Sequence, residues 1–145
     1  MALKDVTEAI LATIEEALSE IEELEEVEQG IKPAILGSSY MKFPGAYILP
    51  RSISRKLEDS GHNWNTFTID VLCVTRAIKH ITGAEAIREL SCDVIDKIED
   101  QKFAQLDGNV ENSYVDNVDF FYLLHPDVVL FQSLIKIVTE FETTI

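Results

Sequence analysis

The sequence predicts an α+β fold: an antiparallel sheet of about four strands, with an N-terminal helix and a second helix packed on it. Three observations predict it. A 3.6-residue hydrophobic repeat opens the chain, and alternation runs through residues 65–76, where one face is wholly apolar and the other turns apolar only at Leu72 and Val74. The overall order reads helix, two or three strands, helix, two strands, which an antiparallel sheet with helices on one face satisfies. The 145 residues suit a single domain over 1–145. That length buries enough surface to fold without metals or disulfides.

Residues 3–28 read as an amphipathic acidic helix. Leu3, Val6, Ile10, Ile14, Leu18, Ile21 and Leu24 recur at spacings of three and four and so share a face. Glu15, Glu16, Glu20, Glu22, Glu23, Glu25, Glu26 and Glu28 crowd the other side. Carboxylates four apart repel, and the macrodipole disfavours them at a helix C-terminus, so the last turn should fray unless a cationic partner covers it. Gly30 is the expected stop, with Pro33 preventing resumption.

Between Ile31 and Arg51 the punctuation by Pro33, Gly37, Pro44, Gly45 and Pro50 leaves two short extended runs, Ala34-Ile35-Leu36 and Ala46-Tyr47-Ile48-Leu49. Residues 50–63 read as a mobile basic loop that carries Arg51, Arg55 and Lys56. The clearest strand follows, with Phe67, Ile69, Val71 and Cys73 on one face and Thr66, Thr68 and Asp70 on the other. Thr82 and Glu85 form a capping-box pattern ahead of a helix to about Asp100, whose buried stripe is Ile87, Leu90, Val94 and Ile98. Asp107-Gly108 marks a turn. Two long strands close the chain, Val110 to about Leu124 and Val128 to Phe141, broken by His125-Pro126-Asp127.

Composition excludes several classes. Lys and Arg number 12 against 26 Asp and Glu, a net charge of −14. Sequence-specific nucleic-acid binding and attachment to anionic membranes both need a basic footprint, so neither partner is expected. No apolar run approaches a membrane span, and the first residues lack the pattern of a secretory signal. Cys73 and Cys92 stand in apolar stretches and read as reduced, buried thiols.

Motifs for chemistry are missing. His62, His80 and His125 lie far apart, and none has a second ligand at i+2 or i+4, so no metal site is expected. No nucleophile elbow or phosphate loop occurs, and Gly37-Ser38-Ser39 lacks the lysine the latter needs. Asp70 reads as a solvent-facing or hydrogen-bonded carboxylate rather than a general base. The expectation is a protein without catalysis or cofactor. Charge segregation points instead to assembly: an acidic helix and a basic loop on one chain are complementary but non-identical patches, which favour head-to-tail contacts.

The element order resembles the tail terminator, or tail-completion, proteins of long-tailed phages and proviruses. The likeness covers nearly the whole chain. It runs from the N-terminal helix through Gly45-Ala46-Tyr47-Ile48-Leu49-Pro50, the charged loop and Thr66-Phe67-Thr68-Ile69-Asp70-Val71. It continues through the helix Ala84 to Asp100, the turn at Asp107-Gly108 and the closing strand Leu134-Ile135-Lys136-Ile137-Val138. The resemblance implies a structural virion protein that assembles in the host cytoplasm. Such a protein forms a hexameric ring, caps the tail tube, ends its polymerisation and offers a surface to the head connector. It implies as partners other copies of the chain, the tail-tube protein and a head connector protein. On that reading Arg51, Arg55 and Lys56 contact the adjacent subunit or the tail tube, with Glu22, Glu23, Glu25 and Glu26 as acceptors, and Trp64 joins the interface. Rival readings are another head-tail connector or tail-tube component, a cytoplasmic protein-binding adaptor domain, and a small metal-dependent hydrolase or nuclease.

Overall fold

The computed structural model describes residues 2–30, 42–77, 80–100, 110–124 and 129–144. Helix α1 spans Leu3–Ser19 and buries Val6, Ile10, Thr13, Ile14, Ala17 and Leu18. It is shorter than its hydrophobic repeat suggests. The Glu20 and Ile21 amides bond back to the Ala17 and Leu18 carbonyls at 3.2 and 3.0 Å, a tightened last turn that closes the helix without glycine. Lys97 Nζ lies 3.3 Å from Glu20 Oε2, supplying a cation beside the acidic end. Beyond it the carboxylates that would repel along a helix go into turns and a short strand, β1 (Glu26–Gln29). Gly30 ends that strand rather than the helix, and its φ of 99° is a left-handed conformation that glycine adopts freely.

Strand β2 spans Gly45–Asp59, β3 His62–Ala77, β4 Asn112–Leu124 and β5 Val129–Thr144. Helix α2, His80–Glu99, connects β3 to the segment before β4. The sheet has five strands in the order β1-β2-β3-β5-β4. It is mixed, with β1 parallel to β2 and every other pair antiparallel. The expected four-stranded antiparallel sheet therefore gains a parallel edge strand. β1 forms because Val27 packs on the core while the Glu25 and Gly30 amides reach Pro44 and Ile48 carbonyls at 2.8 and 2.9 Å.

The larger correction concerns residues 50–63. They are the outer half of a β-hairpin, with β2 paired to β3 as far as Asp59 and His62. Pairing holds this strand, not burial: residues 50–59 are all exposed, so no apolar alternation marked them. Thr82 is likewise inside the first turn of α2, which begins at His80, so it does not cap the helix from outside. The Ala34–Leu36 run and the turns at 107–108 and 125–127 lie outside the described residues.

Both helices pack on one face of the sheet. Ile10, Ile14 and Leu18 of α1 meet Ile87, Leu90, Val94 and Ile98 of α2 over Phe67, Ile69, Val71, Cys73, Ile135 and Ile137. Fully burying an aliphatic side chain of this size contributes about 1.5–3 kcal/mol, so this layer carries the fold. Ser91 and Ser133 satisfy each other inside it at 2.6 Å. On the opposite face Tyr47, Leu72, Val74 and Leu130 make a smaller cluster. Cys73 is buried, but Cys92 is exposed on α2, against expectation; both are free thiols. Residue 92 falls outside the Ile87–Val94–Ile98 stripe, which is why its apolar neighbours misled.

Candidate functional site: a hairpin arm and open sheet edges

The outer halves of β2 and β3 form an arm. Ser60-Gly61 is its two-residue turn, and the Gly61 amide donates to Asp59 Oδ1 at 2.8 Å. His62 Nδ1 lies 3.0 Å from Asp59 Oδ1, and its Nε2 3.4 Å from Glu142 Oε1. The hydrogen bond and charge of Asp59 raise the His62 pKa above its ordinary value. The Gly61 amide, then His62, hold Asp59 below the usual carboxylate range. Glu58 is pushed up, first by desolvation and then by the neighbouring Glu142.

Further down, a polar brace ties the arm to β5. Arg55 Nε donates to Asn65 Oδ1 at 2.8 Å. The buried Asn65 in turn donates through Nδ2 to Thr143 Oγ1 at 3.0 Å and to the Phe141 carbonyl at 3.2 Å. Trp64, half-buried, donates through Nε1 to Glu140 Oε2 at 3.1 Å. Arg51 Nη1 donates to Asp70 Oδ2 at 2.8 Å, so Asp70 is a hydrogen-bonded ion-pair partner. Lys56, opposite Trp64, is exposed and has no ion pair among the described residues.

The structure therefore gathers Arg51, Arg55, Lys56 and Trp64 on one arm. It does not bring them to the acidic group. Glu26 is level with Gly45, at the other end of β2. Arg55 stands on the order of 30 Å further along that strand at about 3.3 Å per residue. Glu22, Glu23 and Glu25 are exposed in the turn before β1, while Glu26 is buried and accepts from the Lys42 amide at 3.2 Å. Contacts between the two groups need two copies of the chain.

Among the described residues the sheet has two edges with open stretches. β1 covers β2 only from Gly45 to Ile48, so the arm's outer edge is unpaired among the described residues. β4 is the other edge, and sequence reasoning missed its character. Phe120, Phe121, Tyr122, Leu123 and Leu124 are 43–69% exposed. Alternation places Phe120, Tyr122 and Leu124 on the helix face and Phe121 and Leu123 on the other. The available signal was a run apolar at every position, which asks for cover on both faces. A groove of about 370 Å³ between α2 and β4 is lined by Ala84, Ile87, Arg88, Phe120, Phe121, Tyr122 and Phe131.

A second cleft, of about 420 Å³, lies near the acidic turn and includes Glu23, Phe43, Arg76, Glu89 and Asp93. The Arg76 guanidinium sits 5.1 Å from the Phe43 ring centroid. Asp93 is pushed up by desolvation and then by Glu23, Asp96 and Glu89. Among the described residues no three His, Cys, Asp or Glu side chains gather as a metal site, and no helix is long and apolar enough to cross a membrane.

No known protein family matches the sequence, and no curated protein does. The fold is shared with a solved chain from the virion of a native gene transfer agent particle. That chain is 14% identical, with a TM-score of 0.54, over 93% of this chain and 97% of the other.

Proposed function

We propose that this protein is a structural virion component, and specifically a tail terminator: a ring that caps the tail tube, ends its polymerisation and joins tail to head. The observation that carries the reading is end-to-end similarity of fold to a chain of a gene transfer agent virion. The element order supports the terminator assignment. The separated acidic turn and basic arm support a head-to-tail ring, because the two lie at opposite ends of β2 and cannot meet within one copy. The tail-tube protein and the head connector are the remaining partners, and the role asks for neither catalysis nor cofactor. A ring of six would carry about −84 in formal charge, six times −14. That charge would repel passing DNA rather than bind it.

Light scattering behind size exclusion, with negative-stain images, tests this. The expected species is a closed ring near six times 16.3 kDa, about 98 kDa. Replacing Arg51, Arg55 and Lys56 together by Ala should weaken assembly with the monomer fold intact. Because Arg51 and Arg55 also brace the arm, Lys56→Glu alone is the cleaner companion. A monomer at every concentration that also fails to bind tail-tube protein overturns the proposal.

A further inference from the structure

We infer that the arm edge of β2 on one copy pairs with the β4 edge of the next, so that the sheet continues from subunit to subunit. This deepens the ring reading and rests on it for closure alone. The apolar run of β4 is exposed on both faces, and among the described residues its outer edge is unpaired, so packing against one face leaves the other wet. A neighbouring strand covers both. The open arm edge supplies such a strand, and it carries Ile53 and Leu57, 45% and 64% exposed.

Direction agrees. Three antiparallel steps separate β2 from β4 within the sheet, so the two strands run oppositely. Copies laid side by side with their helices on the same face then present β4 and the next β2 as an antiparallel pair. Cross-strand partners share a face, so Ile53, Arg55 and Leu57 lie on the face of Phe67, as Phe120 and Tyr122 do on the face of Phe131.

Charge selects the register and the partner. Arg51, Arg55 and Lys56 lie on the arm, whereas β4 carries Asp116 and Asp119 and no cation. Pairing β4 with β4 would set no cation against Asp116 or Asp119. Setting Lys56 opposite Asp119 places Arg55 over Phe120, Ile53 against Tyr122 and Leu57 against Val118. A shift of two residues would oppose Glu58 to Asp119, whereas this register brings Asp59 level with Asp116 only at the β4 bulge between Val115 and Asn117, where the pairing ends. The contact joins unlike surfaces, so it propagates head to tail.

The test is a disulfide. In a Cys92→Ser background, Lys56→Cys and Asp119→Cys are combined in one chain and oxidised. Paired residues of an antiparallel ladder have Cα atoms about 4.5–5.5 Å apart, within disulfide range. Within one chain the two positions are at least three strand spacings apart, roughly 14 Å, so no internal bridge can form. The expected result is a ladder of covalent multimers on denaturing gels, with each single-cysteine variant giving none beyond a dimer. Lys56→Glu or Asp119→Lys alone should weaken association about tenfold, and the double reversal should restore it. No ladder from a chain that still forms rings by light scattering overturns the edge pairing and leaves the ring reading standing. No ladder and no ring also overturns the edge pairing, and binding to tail-tube protein then decides the ring reading.

Discussion

Gly83 sits in the first turns of α2, where alanine is ordinarily the better residue by up to about 1 kcal/mol. Here the sign should reverse. A Cβ on Gly83 would overlap the Cδ2–Cε2 edge of the Phe131 ring. Phe131 is only 3% exposed and belongs to the main core, so the ring has nowhere cheap to go. Overpacking a filled core costs about 1–3 kcal/mol. Set against the helical gain, Gly83→Ala should destabilise by up to roughly 2 kcal/mol, a fall in melting temperature of up to about 6 °C for a chain of this size. Thermal unfolding followed by circular dichroism measures it. In a Phe131→Leu background the penalty should largely vanish, giving a coupling of about 1 kcal/mol or more. The ring centroids of Tyr122 and Phe131 are 6.3 Å apart, so displacing Phe131 should also disturb the β4 edge and weaken assembly. A rise in melting temperature for Gly83→Ala, or strict additivity with Phe131→Leu, would refute the close approach of α2 to β5.

Two further predictions concern titratable groups. His62 has a folded pKa above its unfolded value of about 6.5, so its stabilising effect is full below that value and is lost as pH rises through the folded pKa. Amides at the arm tip should therefore exchange faster at pH 8 than at pH 6 once corrected for intrinsic rates; a nuclear-resonance midpoint for His62 at or below 6.5 would sink this, and Asp59→Asn should lower it. Burial pushes the Cys73 thiol up to about 12, whereas Cys92 is exposed. A thiol reagent at pH 8 should modify Cys92 in the native protein and Cys73 only after unfolding.

Much of the fold was legible because burial writes a period into sequence. Phe67, Ile69, Val71 and Cys73 alternate because one face of β3 meets the helices, and Ile87, Leu90, Val94 and Ile98 mark the buried stripe of α2. The arm was illegible for the converse reason. Its β2 half contacts solvent on both faces, so cross-strand hydrogen bonds alone define it. The one local clue was Ser60-Gly61 between Asp59 and His62, a two-residue turn signal. The N-terminal helix was overrun because Ile21, Leu24 and Val27 keep the helical spacing after the backbone has left the helix. As for the site, the basic residues were visible as a charge cluster. Their internal partners were not, since Asn65, Asp70 and Thr143 reach Arg55 and Arg51 only through the sheet.

The place of β5 in the sheet has a consequence for synthesis. It lies between β3 and β4, yet follows both in the chain. The β2–β3 hairpin can close on the ribosome as soon as it emerges. β3 must then wait for the stretch from Ala77 to Thr144, about 3–13 s at about 5–20 residues per second. Throughout that interval its second side, and the Phe120–Leu124 run once it is made, stand open to any strand nearby. On a polysome that strand belongs to the neighbouring nascent chain. Non-local pairing of this kind is slow, so the yield of native protein should depend on translation rate and on holdase chaperones more than equilibrium stability would suggest.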